Sequence, residues 1–323
     1  MEKSAGIFVA GHRGLVGSAI VRLLKAEGHE NILTAARDKL DLRDQSDVHA
    51  WFAANRPEYV FLVAGTVGGI LANSTRPAEF IYDNMMIHST VVHGAYVNGV
   101  KRLLYLGSSC IYPRECPQPM REEYLLEGRL EPTNEPYAVA KIAGIKLCQA
   151  YRKQYGCDFI SAIPTNLYGP HDNFDLKNSH VLPALIRKFH EAKLSGDGSM
   201  VVWGTGSPKR EFLHVDDLAE ACLFLMDNYD SDEHINVGTG KEVTIRELAT
   251  NIQEVVAPDI ELEFDTSKPD GMPRKLLDVA RVHELGWRHS IDLEAGIRVT
   301  YAWFEENYDE RIAKSRRISA SVG

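Results

Sequence analysis

The sequence lacks the features that define several large classes of protein. Its 323 residues carry 36 Lys and Arg against 45 Asp and Glu, a formal charge of −9, which disfavours a nucleic-acid binder that needs a wide basic surface. No run of 18 apolar residues occurs, and the N-terminus lacks the apolar segment and cleavage site of a signal peptide. We therefore expect a cytoplasmic protein with no membrane or nucleic-acid partner.

Cysteine is scarce, and its pattern is not that of a disulfide or metal framework. The cysteines are odd in number, and no two of them form a Cys-x-x-Cys pair: Cys110, Cys116, Cys148, Cys157 and Cys222. The sequence therefore indicates neither a disulfide scaffold nor a structural zinc site, and no metal is expected. If one of these cysteines matters to function, it matters through its reactivity.

What is present is a regular alternation of short apolar runs and longer helical patterns. This alternation predicts an α/β protein with a Rossmann-type, doubly wound parallel sheet, in which both faces of each strand are covered. The predicted strands are 7–10, 31–35, 59–64, 102–107 and 159–164, and the predicted helices between them are 14–27, 43–55, 84–98 and 135–155.

The alternation loosens after about residue 173. Helical patterns continue at 180–193, 216–226, 245–255 and 293–307, with mixed segments between them. We expect a first domain at 1–173 and a smaller, mixed α/β C-terminal lobe at 174–323 that binds the substrate. Some late segments are expected to return to the first domain, and no linker-like stretch separates the two.

A glycine-rich loop follows the first predicted strand and opens the first helix. Gly11 permits a tight turn, Gly14 lets the backbone approach a pyrophosphate, and Gly17 lets the helix pack closely on the strand. The helix N-terminus adds N–H donors and a positive dipole. The spacing GxxGxxG differs from the dehydrogenase fingerprint GxGxxG, and a glycine-rich helix cap is the alternative, but the strand-loop-helix context favours a dinucleotide site.

Arg37 occupies the position, about 20 residues beyond the last glycine, at which an acidic residue normally binds the adenosine ribose. A guanidinium pairs with a 2′-phosphate and accepts no hydrogen bond from a 2′-hydroxyl. The sequence therefore predicts NADP(H) rather than NAD(H), with Arg13 as a second phosphate contact. The alternative is a solvated Arg37 beside an Asp38 that binds the ribose.

A serine, a tyrosine and a lysine form a second pattern. Ser108 follows the predicted strand 102–107, and Tyr137 and Lys141 lie four residues apart, on one face of the predicted helix 135–155. A nearby ammonium is expected to lower the pKa of a tyrosine and make it a usable proton donor, while the serine hydroxyl holds the oxygen that receives the proton. A Tyr and a Lys at this spacing are common in helices, so the pair gains its weight from the glycine loop and the serine-tipped strand.

These segments together resemble the extended short-chain dehydrogenase/reductase family and, within it, the GDP-L-fucose synthase group. The segments that carry the resemblance cover nearly the whole chain: 11–17, 67–70, 106–113, 130–147, 164–174, 178–180, 210–217 and 268–275. One departure is Thr66, in a segment AGTVGG where the group commonly has AAKVGG. The exchange removes a positive charge close to the expected cofactor.

The resemblance implies a bifunctional reaction on GDP-4-keto-6-deoxy-D-mannose, with epimerisation at C3 and C5 followed by NADPH-dependent reduction at C4. Cys110 would be the base and His180 the acid of the epimerisation, with Ser108, Tyr137 and Lys141 serving the reduction. The alternatives for these two residues are a cysteine that fills the core and a histidine at the start of a helix. The resemblance also implies a homodimer.

Two further residue sets follow from the motifs and the resemblance. The cofactor set is Gly11, His12, Arg13, Gly14, Leu15, Val16, Gly17, Arg37, Asp41, Leu42, Leu106, Gly107, Lys141, Pro164, Asn166, Leu167 and His180. The set for the GDP-sugar is Ser108, Ser109, Cys110, Lys188, Trp203, Arg210, Asp270 and Arg274. The cations of the second set suit a diphosphate, although each has an ordinary surface role as its alternative.

Three other functions compete with this interpretation. A nucleotide-sugar 4-epimerase or 4,6-dehydratase has the same fold, but the dehydratases carry Asp and Glu where this chain has Ser109 and Cys110, and Arg37 disfavours NAD. A sister epimerase-reductase acting on a dideoxy sugar is hardly separable by sequence. A catalytically silent NADP-binding regulator is disfavoured because Ser108, Tyr137 and Lys141 are all present.

Overall fold

The computed structural model describes residues 1–176, 178–268 and 270–309. A parallel sheet of six strands forms the centre of the larger lobe. The strands are β1 (Ile7–Ala10), β2 (Ile32–Leu33), β3 (Tyr59–Leu62), β4 (Arg102–Leu106), β5 (Asp158–Pro164) and β10 (His234–Val237). They lie in the order β10-β5-β4-β3-β1-β2, and every neighbouring pair is parallel.

Helices cover this sheet, as the continuous burial of its central strands requires. The helices are α1 (Leu15–Ala26), α2 (Gln45–Asn55), α3 (Ile70–Thr75), α4 (Pro77–Val97), α5 (Glu135–Tyr155) and α7 (Val215–Asn228). In one group α4 packs between α2 and α5, while in the other α1 packs on α7. Strands and helices bury one continuous apolar cluster, which confirms the predicted doubly wound α/β fold.

A second apolar cluster belongs to the smaller lobe. Its helices are α6 (Val181–Ser195), α8 (Ile245–Val256) and α10 (Leu293–Glu306), and α9 (Ala280–Glu284) lies beside β10. Three small sheets join them: β6 (Asn166–Tyr168) with β9 (Phe212–His214); β7 (Ser199–Trp203) with β12 (Glu261–Asp265); and β8 (Lys209–Arg210) between β11 (Val243–Thr244) and β13 (Arg274–Lys275).

The sixth strand of the main sheet is the element that the alternation pattern did not predict. β10 has four residues and follows α7, so α7 and β10 form one more crossover unit against β5. The buried residues of α7 and β10 accordingly belong to the first apolar cluster. The predicted helices agree with the structure to within a few residues, except that α4 begins at Pro77 rather than at residue 84.

Among the described residues, no helix is both long and apolar enough to cross a membrane.

Candidate active site

A cleft of about 740 Å³ lies beyond the carboxyl ends of β1, β3, β4 and β5, the edge at which open parallel sheets bind ligands. The structure brings the whole predicted cofactor set to this cleft: residues 11–17, Arg37, Asp41, Leu42, Leu106, Gly107, Lys141, Pro164, Asn166, Leu167 and His180. Ser108, Ser109, Cys110 and Tyr137 line it as well.

The glycine loop has the close contacts expected of a dinucleotide site. Gly11 has a φ of +99°, and a Cβ on Gly17 would lie 2.1 Å from the Gly11 oxygen, so neither position admits a larger residue. Gly14 begins α1 without a side-chain cap, and the first turn contains no acidic residue. The free N–H groups and the helix dipole therefore favour an anion here, and the loop fits the pyrophosphate of a dinucleotide.

Two exposed arginines lie on the cleft wall beside this loop. Arg13 and Arg37 both line the cleft, and neither forms an ion pair with a carboxylate of the described residues. Asp38, the alternative ribose ligand, is exposed and does not line the cleft. A 2′-phosphate fits this electrostatic environment better than a free 2′-hydroxyl.

Asp41 is held by an arginine that the sequence reading missed. Arg43 donates to Asp41 at 2.6 Å and to Asp83 at 2.9 Å, and its hydrogen bonds lower the pKa of Asp41 to about 2. The Thr66 hydroxyl donates to the other oxygen of Asp83 at 3.1 Å. Thr66 thus contributes a neutral hydrogen bond to a carboxylate that Arg43 already neutralises.

Helix α5 brings Tyr137 and Lys141 to the end of β4. Gly144 permits the approach, because a Cβ there would lie 2.4 Å from the ring of Tyr105 on β4. The Lys141 ammonium lies 5.8 Å from the centre of the Tyr137 ring and donates to the Leu106 carbonyl at 2.8 Å. Burial lowers the pKa of Lys141 to about 8, so this lysine can exchange a proton near neutral pH.

The Tyr137 hydroxyl differs from its sequence-based prediction. Burial, followed by the charge of Cys110, raises its pKa, and a hydrogen bond with Ser108 opposes the rise only in part. The expected lowering by Lys141 is therefore wrong for this structure, because desolvation of the phenolate outweighs the distant ammonium. A tyrosine that retains its proton is still suited to donate it.

Ser108 joins the tyrosine to the cysteine. Its backbone begins the short 3₁₀ helix Ser109–Ile111, and its hydroxyl accepts from the Cys110 N–H at 3.5 Å. The Cys110 side chain is buried, which raises the pKa of its thiol, whereas the charge of Lys275, the Ser108 hydroxyl and Lys141 oppose the rise in that order. Cys148 and Cys222 have no cation among the groups that act on them: both lie in the apolar core, where burial raises the pKa of each to about 12, although a hydrogen bond with Ser161 opposes the rise at Cys148.

His180 reaches the same cleft from the other lobe. It begins α6 without a side-chain cap bond, and its side chain faces the cleft. Burial among the surrounding protein atoms, together with the charge of Lys275, lowers its pKa. Lys275, which the motifs did not single out, also lines the cleft. The alternation of β13 could have indicated it, since Arg274 and Lys275 must face opposite ways.

The remaining predicted substrate residues lie outside this cleft. Trp203 is 67 % exposed, and the ammonium groups of Lys188 and Lys268 lie 5.6 and 5.7 Å from its ring centre. Asp270 accepts from the backbone and the hydroxyl of Thr205 at 2.9 and 2.7 Å.

The two predicted substrate arginines also have protein partners. Arg210 donates to the carbonyl of Lys209 at 2.7 Å, and Arg274 donates to Glu242 at 2.7 Å. Of these two, Arg274 is neutralised by a carboxylate, whereas the charge of Arg210 acts on Lys275 and lowers the pKa of that lysine.

The sequence of the chain matches a family model and several named proteins. The sequence model of the NAD dependent epimerase/dehydratase family matches residues 7–238. A putative GDP-L-fucose synthase 2 of Arabidopsis thaliana is 60% identical over 307 residues, which are 95% of this chain and 94% of that protein. The GDP-L-fucose synthase of Escherichia coli is 57% identical over 312 residues, 94% of this chain and 97% of that protein.

A solved structure gives the same result for the fold. The crystal structure of a GDP-L-fucose synthetase from Naegleria fowleri bound to NADP superposes with a TM-score of 0.89 at 32% identity, and the match covers 96% of each chain.

Proposed function

This chain belongs to the NAD dependent epimerase/dehydratase family, and on that premise we propose that it is an NADPH-dependent epimerase-reductase that converts GDP-4-keto-6-deoxy-D-mannose to GDP-L-fucose. The observation that carries the proposal is the meeting of Cys110 and His180 with Ser108, Tyr137 and Lys141 in one cleft. A simple reductase needs only the last three. The first two add a base and an acid for inverting a carbon.

The epimerisation needs a carbon acid and two proton carriers. A C–H bond beside the C4 ketone is acidic because its electron pair can move onto the carbonyl oxygen. The Cys110 thiolate takes the proton, the Ser108 and Tyr137 hydroxyls donate hydrogen bonds to the C4 oxygen, and His180 returns a proton to the opposite face. Because C3 and C5 both flank C4, the same set of groups serves both inversions.

The reduction uses the same polarised carbonyl. Residues 11–17 would hold the pyrophosphate of NADPH, with Arg13 and Arg37 at its 2′-phosphate, and the bound cofactor would supply the hydride for C4. Tyr137 gives its proton to the C4 oxygen, and the phenolate it becomes is stabilised by Lys141, whose pKa of about 8 lets it pass a proton back from solvent.

We propose that the predicted substrate residues outside the cleft bind the GDP portion of the substrate: Lys188, Trp203, Arg210, Asp270 and Arg274. The exposed Trp203 ring with Lys188 beside it suits a base or a diphosphate. Arg210 adds a charge near the cleft. The Asp270 carboxylate accepts from Thr205. Arg274 completes the proposed group, although it is also paired with Glu242.

We further propose a homodimer in the cytoplasm. Helices α4 and α5 pack side by side and expose large apolar side chains, among them Tyr82, Met85, Val97 and Tyr155, which a second copy would cover. All five cysteines are unpaired, as suits a reducing compartment. Sedimentation of the wild type and of Met85→Glu tests the dimer: the variant should be a monomer, and a monomeric wild type would contradict the proposal.

One assay tests the reaction. With GDP-4-keto-6-deoxy-D-mannose present, NADPH absorbance should fall, and NMR of the product should show the configuration of GDP-L-fucose, with solvent deuterium at C3 and C5 when the reaction runs in heavy water. Turnover of a 4-keto-dideoxy GDP-sugar in preference to this substrate would show that the dideoxy sugar is the substrate. Reduction without deuterium incorporation would show that the enzyme is a 4-reductase without epimerase activity.

A further inference from the structure

Lys275 lines the cleft but has no part in the chemistry derived so far. It lies on β13, opposite Arg210 of β8. Successive side chains of a strand face opposite ways, and its neighbour Arg274 is held by Glu242 at 2.7 Å. On this strand Arg274 therefore forms an ion pair with Glu242, and Lys275 lines the cleft.

The backbone that follows Lys275 is fixed on both edges. The Leu276 N–H donates to the side chain of Gln118 at 2.8 Å, and its carbonyl accepts from the Met120 N–H at 2.7 Å. The Leu277 N–H donates to Glu211 at 3.0 Å. These bonds fix the position from which the lysine side chain extends.

Glu211 is itself an anchor. Its carboxylate is fully buried, and it also accepts from the N–H groups of Thr239 and Gly240 at 2.6 and 2.8 Å. Its backbone carbonyl accepts from Asn166 at 2.7 Å on the cofactor side of the cleft. One buried residue thus ties the wall that carries Lys275 to the wall that carries the predicted cofactor residues.

The charge of Lys275 is directed at the two epimerisation residues. Within the described part of the chain no carboxylate forms an ion pair with its ammonium. Burial is the largest influence on Lys275 and lowers its pKa; the charges of Cys110, Arg210 and Cys116 follow in that order, and Cys110 raises the pKa. In turn, Lys275 is the strongest of the cations that favour the thiolate of Cys110. Its charge also acts on His180.

Resting on the function proposed above, we infer that Lys275 is a positioning residue of the epimerisation: its ammonium, on the wall of the cleft that Cys110 and His180 also line, stabilises the Cys110 thiolate that takes the proton from C3 or C5. Lys275 donates no proton in this step. The proton moves from carbon to sulfur, the C–H electron pair moves to the C4 oxygen, and His180 supplies the replacement proton.

The charged groups around the pair set the sign of the test. Lys275 and Lys141 favour the Cys110 thiolate, while Lys275 disfavours the protonated form of His180. Removing the ammonium of Lys275 therefore raises the pKa of both residues. Lys275 is not among the groups whose charges act directly on Lys141 or Tyr137, the residues that serve hydride transfer.

The variants are Lys275→Gln, Lys275→Arg and, as a matched control, Lys209→Gln, an exposed lysine of the neighbouring strand that reaches Glu242. The first readout is the pH profile of solvent-deuterium incorporation at C3 and C5. The second is oxidation of GDP-L-fucose by NADP⁺, which reaches hydride transfer before any epimerisation. The third is the rate at which iodoacetamide alkylates Cys110, measured as the difference from Cys110→Ser.

For Lys275→Gln we expect both limbs of the exchange profile to move to higher pH by about one unit, the lower end of the effect of a neighbouring charge. Alkylation of Cys110 near neutral pH should slow by about tenfold, since one pKa unit is a factor of ten in the thiolate fraction. Oxidation of GDP-L-fucose should keep its rate and pH profile, and Lys275→Arg and Lys209→Gln should behave as wild type.

Two results overturn the inference. One is an alkylation profile of Cys110 that does not move in folded Lys275→Gln. The other is an equal loss of exchange and of GDP-L-fucose oxidation, which would make Lys275 a general substrate ligand. If wild type fails to turn over the GDP-sugars, the proposed function fails, but alkylation of Cys110 still decides the inference.

Discussion

The two chemical groups of the cleft are built in different ways. The reduction group (Ser108, Tyr137, Lys141) takes two of its members from a single turn of α5, and the third follows the strand on which α5 packs. The epimerisation group (Cys110, His180, Lys275) takes its members from three distant segments, one of which lies in the smaller lobe's sheet.

This difference has consequences for how each group can fail. Local helix geometry fixes the spacing of Tyr137 and Lys141, so the pair survives as long as α5 forms. Only the packing of one lobe on the other fixes the distances among Cys110, His180 and Lys275. We therefore expect substitutions to separate the two half-reactions, and the following predictions are ordered from the largest effect to the smallest.

Removing the proton donor should produce the largest separation. In Tyr137→Phe the reduction of the ketone should fall by about 10²- to 10⁴-fold, the usual contribution of a positioned acid, while deuterium exchange at C3 and C5 falls less because Cys110 and His180 remain. Stopped-flow NADPH absorbance and NMR measure the two rates. Tyr59→Phe, at the amino end of β3 and outside the cleft, is the control; equal losses in both rates would contradict the division into two groups.

Removing the base should give the opposite result. In Cys110→Ser the exchange at C3 and C5 should fall by about 10²-fold or more, because a serine hydroxyl at this buried position does not ionise. Oxidation of GDP-L-fucose with NADP⁺ should persist. Cys157→Ser, away from the cleft, serves as the matched variant, and exchange that continues in Cys110→Ser would assign the base role to another residue.

The buried ammonium of the reduction group should cost stability. The pKa of Lys141 falls from 10.5 to about 8, and this shift of about 2.5 units corresponds to about 3 kcal/mol. Below pH 8 the folded and unfolded chains both hold the proton and the full cost applies; between pH 8 and 10.5 the unfolded chain alone keeps it, so the cost disappears as pH rises.

Urea unfolding of Lys141→Met without cofactor tests this prediction. The free energy of unfolding of the variant should exceed that of wild type by up to about 3 kcal/mol at neutral pH, and this difference should shrink as the pH approaches 10.5. The variant should no longer reduce the ketone. Lys146→Met, an exposed lysine of the same helix, should show no such trend. A pH-independent difference would mean that packing, not charge, sets the effect.

The smallest effect is expected in the cofactor half of the cleft. Arg37→Ser should weaken NADPH binding by about 10- to 100-fold, the worth of one or two charged hydrogen bonds, and leave NADH binding unchanged. Nucleotide fluorescence titrations measure both affinities. Lys39→Ser, exposed in the same loop but outside the cleft, is the control, and equal losses for both nucleotides would remove Arg37 from phosphate recognition.

The parts of the molecule that the sequence predicted are those with local causes. We could predict the strand-loop-helix of residues 7–26 and the turn of α5 from the sequence, because φ angles, glycine spacing and helical periodicity act between near neighbours. The sixth strand was not predicted because it lies after the regular alternation has ended, and its place is set by pairing with β5. The role of Arg43 was not predicted because its partner Asp83 lies on α4, too far along the chain for a local sequence pattern to indicate the pair.

By itself the sequence determined the α/β class, the cofactor loop, the preference expected of Arg37 and the reduction pair, since each depends on backbone geometry or charge within a few residues. Only the tertiary structure decided that His180 and Lys275 line the same cleft as Cys110, that Asp38 does not line it, and that burial raises rather than lowers the pKa of Tyr137. These outcomes depend on desolvation and on charges brought together by packing, and neither quantity exists until the chain has folded.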